Sequence, residues 1–455
     1  METFDIIVLG AGPAGVSAAL RAADQGGRVC IIEQESIGGS CLRKGLYPLK
    51  SALGFLKNNG PGASVNGIVD AGVLFRSVTE SMESVSRKWE QRLAEFGVAI
   101  LSGRGTPLSS EFVQVKVDDK TFDVRAKKII LATGSHPVAL PILPFEEDVI
   151  ISADDVFKSN EVPKTVFIMG GGGSGCELAN FYQMLGSKVF LGDYESRLIC
   201  GQDPEILEVL EKSLKKLKIK LLLGKKFSSY FKNNGLLDIT LSGGVKFQVE
   251  QIVQNLDRQG NSANLGCDAL GIRLGESKEI LVNEKLETSA VDIFAVGSVT
   301  GRKSRPGISE EEGKIAADNA MGKNKSINSD WIPFVVHTEP EIASVGCFAE
   351  EAHHKGFRGV EGNAKSRDLD FSLLNNNIDG FFKIVADARS GMVIGGQIVS
   401  PNASQLISLV VMAIKKGMKV GALASLAGDK SGEIEGIREA ARLCRKALKS
   451  QLESL

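Results

Sequence analysis

Residues 4–15 are Phe-Asp-Ile-Ile-Val-Leu-Gly-Ala-Gly-Pro-Ala-Gly. The apolar run predicts a short strand, and the residues after the last glycine predict a helix. Gly10 permits the tight turn between them, Gly12 lets a pyrophosphate approach the backbone, and Gly15 lets the helix pack closely on the strand. The free N–H groups at the start of the helix then face the phosphates.

A second predicted strand follows the helix and ends at Glu33, about twenty residues beyond the turn. A carboxylate at this point accepts hydrogen bonds from a ribose hydroxyl. A G-x-G-x-x-G spacing alone is a weak signal. The succession of strand, turn, helix, strand and acid makes a dinucleotide-binding unit a better interpretation than an ordinary glycine-rich loop.

The same pattern returns at Gly170, Gly172 and Gly175, and the next predicted strand ends at Asp193. Two such units predict either two dinucleotides or one dinucleotide cofactor and one dinucleotide carrier. The acid at Asp193 favours a free 2′-hydroxyl, and therefore NADH over NADPH. The nearby Arg197 could bind a 2′-phosphate, but it has the smaller weight because the acid occupies the strand end.

Charge and composition exclude several classes of partner. The chain has 54 basic and 55 acidic residues, so no net field attracts nucleic acid or an anionic membrane. No apolar run approaches the roughly 18 residues of a membrane span, and the acidic start is unlike the basic start of a signal peptide. Together these two features predict a cytoplasmic protein. The seven cysteines are scattered and odd in number, which indicates reduced thiols.

Histidine is scarce, with four residues, and none follows His354. The adjacent pair His353 and His354 has no further ligand at metal spacing, so we expect an exposed pair and no metal site. His337 and Cys176 are expected to have packing roles.

The last third of the chain predicts a different kind of domain. Strands separated by the turn at residues 388–391 indicate an antiparallel sheet, and two helices follow. The predicted fold class is α/β, with two Rossmann-like domains and a C-terminal α+β domain. The predicted first domain is 1–150, completed by 268–330. The second is 151–267, and the third is 331–455.

Four features of the chain resemble the class I pyridine nucleotide-disulfide oxidoreductases, and among them the dihydrolipoamide dehydrogenases. They are the two dinucleotide units, the Gly-Gly-x-Cys segment at residues 38–41, the Ala-Thr-Gly turn at 132–134, and the segment from His337 to Gly346. The resemblance covers essentially the whole chain. It implies a glutathione reductase-like architecture with FAD in the first domain, NAD(H) in the second, and a C-terminal interface domain that builds a homodimer.

Matched residue by residue, the resemblance implies two sets of cofactor-binding residues. The FAD set is Gly10, Gly12, Gly15, Glu33, Thr133, Gly134, Gly297 and Ser298. The NAD(H) set is Gly170, Gly172, Gly175 and Asp193. The resemblance also places Lys50 and Glu177 as an ion pair beside the flavin ring, where it can assist the arrival of a hydride.

The resemblance also identifies parts that are replaced. Cys41 matches the first cysteine of the family's redox pair, whereas the position of the second is Leu46. Lys430 and Glu435 match the family's catalytic His and Glu, which one subunit lends to the other. A lysine titrates at about 10.4 and is a poor proton shuttle unless it is strongly desolvated.

Two further replacements concern the cofactor sites. Ser298 occupies the position of an aspartate that grips the flavin's ribityl chain, and it can still form a hydrogen bond without the strength of a charge. Gly173 replaces a bulkier residue that gates the nicotinamide pocket, so that face of the flavin is expected to be more open.

The leading hypothesis is an NADH-dependent flavoenzyme that passes electrons from FAD to a non-disulfide acceptor, such as a quinone, a nucleotide or a small carrier. One alternative is a redox-silent homologue that serves as a binding or regulatory partner. Another is thiol chemistry by Cys41 alone, whose pKa the neighbouring Arg43 and Lys44 would lower. The opposite interpretation is that Cys41 is a buried residue with no role in the chemistry.

Overall fold

The computed structural model describes residues 2–59, 64–65, 68–159, 161–302, 306–328 and 330–453. The chain forms two compact units. Unit 1 consists of Met1–Val162 and Gln251–Ile327, and unit 2 consists of Pro163–Glu250 and Asn328–Leu455. The three domain boundaries expected from the sequence stay a prediction.

The first half of the chain contains β1 (Thr3–Leu9), α1 (Pro13–Asp24), β2 (Val29–Glu33), α2 (Gly39–Arg43), α3 (Leu46–Asn59), β3 (Ser64–Val65), β4 (Ile68–Val69), α4 (Ala71–Glu95), β5 (Ala99–Ser102), β6 (Arg104–Pro107), β7 (Phe112–Val117), β8 (Lys120–Leu131), β9 (Ser135–Pro137), β10 (Ile150–Ser152), β11 (Thr165–Met169), α5 (Gly173–Met184), β12 (Lys188–Asp193), α6 (Pro204–Lys216) and β13 (Lys220–Leu223). The second half contains β14 (Phe227–Asn233), β15 (Leu236–Leu241), β16 (Val245–Val249), β17 (Gln251–Gln254), β18 (Arg258–Gly260), β19 (Ile293–Ala295), α7 (Pro306–Ala320), β20 (Phe334–Val336), β21 (Glu341–Gly346), β22 (Gly359–Lys365), α8 (Asp370–Leu374), β23 (Phe381–Asp387), β24 (Val393–Ser400), α9 (Ala403–Lys415), α10 (Val420–Ala424) and α11 (Ile434–Glu453).

Unit 1 is built on a seven-stranded sheet with the order β5-β2-β1-β8-β7-β6, and β19 pairs with β8. Strand β1 is parallel to both β2 and β8. Its residues Ile6 and Val8 belong to one buried cluster, whereas Ile7 and Leu9 belong to another. Both faces of the strand are therefore covered, which explains its continuous apolar sequence.

Strand β19 brings a late part of the chain into this sheet, because Ile293 pairs in register with Ile129 on β8. The expected return of the chain to its first sheet is confirmed. Residues 122–124 and 129–131 both belong to the single long strand β8.

Helices α1 and α7 pack closely in unit 1. A Cβ atom added at Gly313 of α7 would lie 2.2 Å from the carbonyl oxygen of Ala14, so only glycine permits this approach. Further along both helices, the Arg21 side chain donates to the buried carboxylate of Asp318 at 2.9 Å. This packing places α7 beside the first turn of α1.

Unit 2 begins with the parallel strands β11, β12 and β13, and α5 connects the first two. An antiparallel sheet of β14, β15 and β16 follows, which the sequence analysis did not identify. The alternation of apolar and polar residues from Leu237 to Leu241 was the available signal. Phe247 of β16 stacks on Phe190 of β12 with a ring separation of 4.6 Å.

The C-terminal part of unit 2 contains a five-stranded antiparallel sheet with the order β20-β21-β24-β23-β22. The predicted hairpin is present between β23 and β24, where the Gly391 N–H donates to the Asp387 carbonyl oxygen at 2.8 Å. Apolar residues of α9 and α11 pack on this sheet. The expected α/β fold class with a C-terminal α+β segment is confirmed.

A buried charge pair joins the two parts of unit 2. Lys383 of β23 is only 6% exposed, and its ammonium group donates to Asp203 at 2.7 Å. Asp203 also caps α6 by accepting from the Glu205 N–H. The pair therefore attaches the start of α6 to the C-terminal sheet. Across the described ranges, no helix combines the length and the apolar composition that a membrane span requires.

Candidate functional site

The first glycine turn has the geometry that its sequence predicts. Gly10 has φ +102°, and a Cβ atom there would lie 2.4 Å from the carbonyl oxygen of Ala132. A Cβ atom at Gly15 would lie 1.9 Å from the carbonyl oxygen of Gly10, whereas Gly12 has open space around it. Glycine is thus required sterically at positions 10 and 15, and position 12 leaves room for a phosphate.

Glu33 is held at the end of β2 by two backbone donors. Its Oε2 accepts from the Ala11 N–H at 2.6 Å, and its Oε1 accepts from the Glu35 N–H at 2.9 Å. An ionised carboxylate has about four acceptor sites, so it can still accept from ribose hydroxyls.

The second turn repeats these contacts. Gly170 has φ +114°, and its N–H donates to the Gly192 carbonyl oxygen, as that of Gly10 does to Ile32. Asp193 accepts from the N–H groups of Gly171 at 2.5 Å and Glu195 at 2.9 Å. The same arrangement of turn and acid therefore occurs once in each unit.

The turn at Thr133 and Gly134 is held by Asn261, a residue that the sequence analysis missed. The Asn261 side chain donates to the Thr133 carbonyl oxygen at 2.8 Å, and its backbone N–H donates to that of Gly134 at 2.9 Å. The Thr133 hydroxyl donates in return to the Asn261 carbonyl oxygen. Because the residues are 128 positions apart, no local signal could have identified this contact.

A second turn lies next to it, since a Cβ atom at Gly134 would be 3.9 Å from the Ser298 Oγ. Gly297 has φ +73°, and its N–H donates to the Oε2 of Glu312 at 2.7 Å. Glu312 was also missed by the sequence analysis. The structure thus brings together the Thr133 and Ser298 turns, which the resemblance assigned to one cofactor.

The segment at residues 38–50 starts beside the first glycine turn, where the Gly38 N–H donates to the Ala11 carbonyl oxygen at 2.8 Å. Cys41 lies in the short helix α2, and Leu46 is the first residue of α3. A thiol at a helix N-terminus is favoured as thiolate. At this position the chain places an alkyl side chain.

The expectation that Cys41 has a lowered pKa is wrong. Burial raises the pKa of the Cys41 thiol to about 12, because the surrounding protein desolvates the thiolate. Lys50 and Arg258 oppose this shift, rather than the adjacent Arg43 and Lys44. Lys44 lies 3.8 Å from Glu35.

The Lys50 and Glu177 pair stays a prediction, since Lys50 belongs to α3 of unit 1 and Glu177 to α5 of unit 2. Within unit 2, Glu177 is buried and accepts from the backbone N–H of His337 at 2.7 Å. The His337 Nδ1 lies 3.3 Å from Glu341. These contacts fit the packing role expected for His337.

The predicted base and its partner are not in contact in one subunit. Lys430 is exposed, and the Glu435 carboxylate accepts from Arg438 at 2.8 Å. Their catalytic roles therefore stay predictions.

The more open flavin face that Gly173 was expected to give stays a prediction. A Cβ atom at Gly173 would lie 3.2 Å from Val336 and 3.4 Å from the Phe334 ring. Cys176 is fully buried, with its sulfur 3.6 Å from the Gly171 carbonyl oxygen, so its packing role is confirmed. Of the residues that the structure describes, no three or more His, Cys, Asp and Glu are grouped to hold a metal ion.

Comparisons with known proteins agree with this geometry. Residues 4–321 match the family model described as pyridine nucleotide-disulphide oxidoreductase, and residues 332–428 match the dimerisation domain of the same family, which indicates a homodimer. A dihydrolipoyl dehydrogenase of Thermus scotoductus is 31% identical over 98% of both chains. A mercuric reductase of Lysinibacillus sphaericus is 28% identical over 97% of this chain and 82% of its own.

Two solved structures share the fold. LpdA of Mycobacterium tuberculosis has a TM-score of 0.89 at 24% identity, covering 97% of this chain and 99% of its own. The HOCl-induced flavoprotein disulfide reductase RclA of Escherichia coli has a TM-score of 0.86 at 22% identity, covering 97% of this chain and 100% of its own. With its two glycine turns, its acids and both family models matched, the chain belongs to the pyridine nucleotide-disulphide oxidoreductase family, an enzyme family that uses FAD and NAD(H).

Proposed function

We propose that this protein is an NADH-dependent FAD oxidoreductase that passes electrons to a non-disulfide acceptor, either a quinone, a nucleotide or a small carrier. The observation that carries the proposal is Leu46, which occupies the start of α3 where the second sulfur of a redox pair would lie. Exchange with a disulfide substrate and with the flavin requires two sulfurs.

The remaining thiol does not replace the pair. The reactive form of cysteine is the thiolate, and burial raises the pKa of the Cys41 thiol to about 12, which disfavours that form at neutral pH. Direct transfer from the flavin to an acceptor avoids the need for a thiolate.

The two dinucleotide turns support the NADH half of the reaction. The turn at Gly10 with Glu33 would hold the ADP half of FAD, and the turn at Gly170 with Asp193 would hold NADH. Bound FAD supplies the hydride acceptor and the route for electrons. In the overall reaction NADH loses a hydride and becomes NAD⁺, and a quinone gains that hydride and one proton from solvent.

The relatives support a family in which the acceptor varies. Some are named dihydrolipoyl dehydrogenase, whereas others are named for mercuric ion. These relatives share the same family of dinucleotide-binding domains, so the identity of the electron acceptor depends on the groups around the flavin. In this chain those groups lack the second cysteine.

An anaerobic titration of the purified protein with NADH tests the proposal. We expect the visible flavin absorbance to bleach at one NADH per flavin, without a long-wavelength thiolate–flavin charge-transfer band. Turnover should then be substantial with a benzoquinone and negligible with lipoamide. Absence of bleaching would overturn the proposal, and so would faster turnover with lipoamide. A protein that lacks flavin, and that added FAD does not restore, would establish the redox-silent alternative.

A further inference from the structure

Unit 1 contains a cavity of about 330 Å³ beside the long helix α4. Among the described residues, those that line it belong to α2, α3, α4 and the segment after β10, and none belongs to a glycine turn. Pockets that bind small molecules have volumes of about 300–1,000 Å³, so this cavity is large enough for a ligand of one or two rings.

The walls of the cavity are mostly apolar. Leu42 and Val78 contribute side chains that are 1% and 3% exposed, and Pro48 is also buried. Met82 and Phe157 are half-buried and complete the apolar lining. An apolar ring placed here would leave water for contacts with carbon and sulfur atoms, which favours its binding.

Two guanidinium groups also line the cavity, those of Arg43 on α2 and Arg87 on α4. Arg43 is exposed and has no ion-pair or hydrogen-bond partner among the described residues. Arg87 lies 3.7 Å from Glu83, which is one turn earlier on the same helix and lines the cavity as well. Two cations against one anion leave a net positive charge at an apolar cavity.

This combination selects among ligands by charge. A guanidinium group presents a planar fork of N–H donors that matches the oxygens of an acidic group. A cationic ligand would be repelled by Arg43, and a neutral one would leave its donors to water. A ligand with one apolar end and one acidic end uses both the walls and the charges.

We propose that this cavity is a binding site for a small apolar molecule that carries one acidic group, with its ring against Met82 and Phe157 and its acidic group facing Arg43 and Arg87. No step of the proposed reaction uses this cavity, so the site is an addition to that reaction.

The test measures the binding of 2-naphthoate to the purified holoprotein by isothermal titration calorimetry, with 2-naphthamide as its uncharged counterpart. We expect naphthoate to bind about fivefold more tightly than the amide at low salt, the size of effect that exposed charges give. This advantage should disappear in about 1 M salt, where the Debye length is about 3 Å.

Single substitutions separate the charges from the walls. Arg43→Gln should weaken the binding of naphthoate about threefold to fivefold and leave that of the amide unchanged. Glu83→Gln should strengthen the binding of naphthoate, because it removes a repelling carboxylate and the ion-pair partner of Arg87. Met82→Gln should weaken the binding of both compounds, since it replaces part of the apolar wall. The matched control is Arg92→Gln, at an exposed arginine of α4 that does not line the cavity, and its Kd values should equal the native ones.

Several results would overturn the proposal. They are the absence of naphthoate binding to the native protein, equal affinity for the two compounds at low salt, and equal losses in Arg43→Gln and Arg92→Gln. A cavity that serves as subunit interface would give a different result, in which Arg43→Gln shifts the dimer towards monomer in sedimentation velocity but leaves naphthoate binding unchanged. Neither NADH nor an electron acceptor is present, so these results are independent of whether the proposed reaction is right.

Discussion

Neither Cys41 nor Leu46 supplies a reactive thiolate in the segment at residues 38–50. Leu46 starts α3, where the helix N-terminus would favour an anionic sulfur, and it offers only an alkyl group. Cys41 has a sulfur, but burial raises its pKa to about 12. The position that favours a thiolate thus lacks the thiol, and the thiol that is present lies where burial disfavours its ionisation.

We therefore expect Cys41→Ser to retain NADH oxidation with a quinone within about twofold of the native rate, since an un-ionised thiol contributes no nucleophile. Steady-state kinetics under anaerobic conditions measure this. Cys200→Ser, at an exposed cysteine, is the matched control for handling and oxidation. A rate reduced tenfold or more by Cys41→Ser alone would place the thiol in the reaction.

Among the elements, α1 and α7 form the contact that supports the first cofactor site. Asp318 of α7 is buried and accepts from Arg21 of α1 and from Lys323 and Lys325. Burial acts to raise the pKa of Asp318, but the hydrogen bonds from Arg21, Lys325 and Lys323 outweigh it, so the pKa lies well below its usual value. The ionised form is therefore the one that stabilises this helix pair.

This lowered pKa predicts an acid dependence of stability. A carboxyl whose pKa is lower in the folded state stabilises above its unfolded pKa, here 3.8, and the contribution decreases as pH falls below that value. We expect Asp318→Asn to lower the free energy of unfolding by about 2 kcal/mol at neutral pH, as for other lost hydrogen bonds to charged groups.

Urea unfolding at several pH values measures this difference. It should shrink between about pH 4 and pH 2.5, because Asp318 takes up a proton in the unfolded chain at these pH values while the native carboxylate stays ionised. The matched control is Asp24→Asn, because Asp24 is exposed and lies 3.5 Å from the same Arg21. That variant should change stability by less than about 0.5 kcal/mol. A constant difference across this pH range would contradict the assignment.

At the scale of the whole molecule, disulfide chemistry depends on groups far apart in the chain. The first sulfur would be near the start of the chain, and the base at Lys430 would come from near the end, from the other subunit of the expected homodimer. A change at residue 46 alone thus supplies one of two missing parts.

We expect Leu46→Cys to give no efficient oxidation of dihydrolipoamide, because Lys430 is not a histidine. The double variant with Lys430→His should be at least tenfold faster, as general bases contribute about 10²–10⁴ in rate. Lys430→His alone is the control and should be inactive, since it has one sulfur. NADH formation from dihydrolipoamide and NAD⁺ is the measurement. Substantial turnover by Leu46→Cys alone would contradict the assignment of Lys430.

The sequence by itself determined the two glycine turns and the acids that follow them. The spacing of Gly10 and Glu33 is repeated at Gly170 and Asp193. It predicts the geometry of each turn, because steric limits and hydrogen bonds between residues about 22 positions apart determine that geometry. The hairpin of the C-terminal sheet was predicted for the same reason, since alternation and turn residues are local signals.

Only the tertiary structure decided which residues support those turns. Asn261 reaches Thr133 from 128 positions away, and Glu312 reaches Gly297 from a different element. The ionisation of Cys41 likewise depends on its burial, and the opposing cations are Lys50 and Arg258 rather than its sequence neighbours Arg43 and Lys44. Desolvation and long-range contacts arise from packing, and packing is not encoded in the spacing of any one segment.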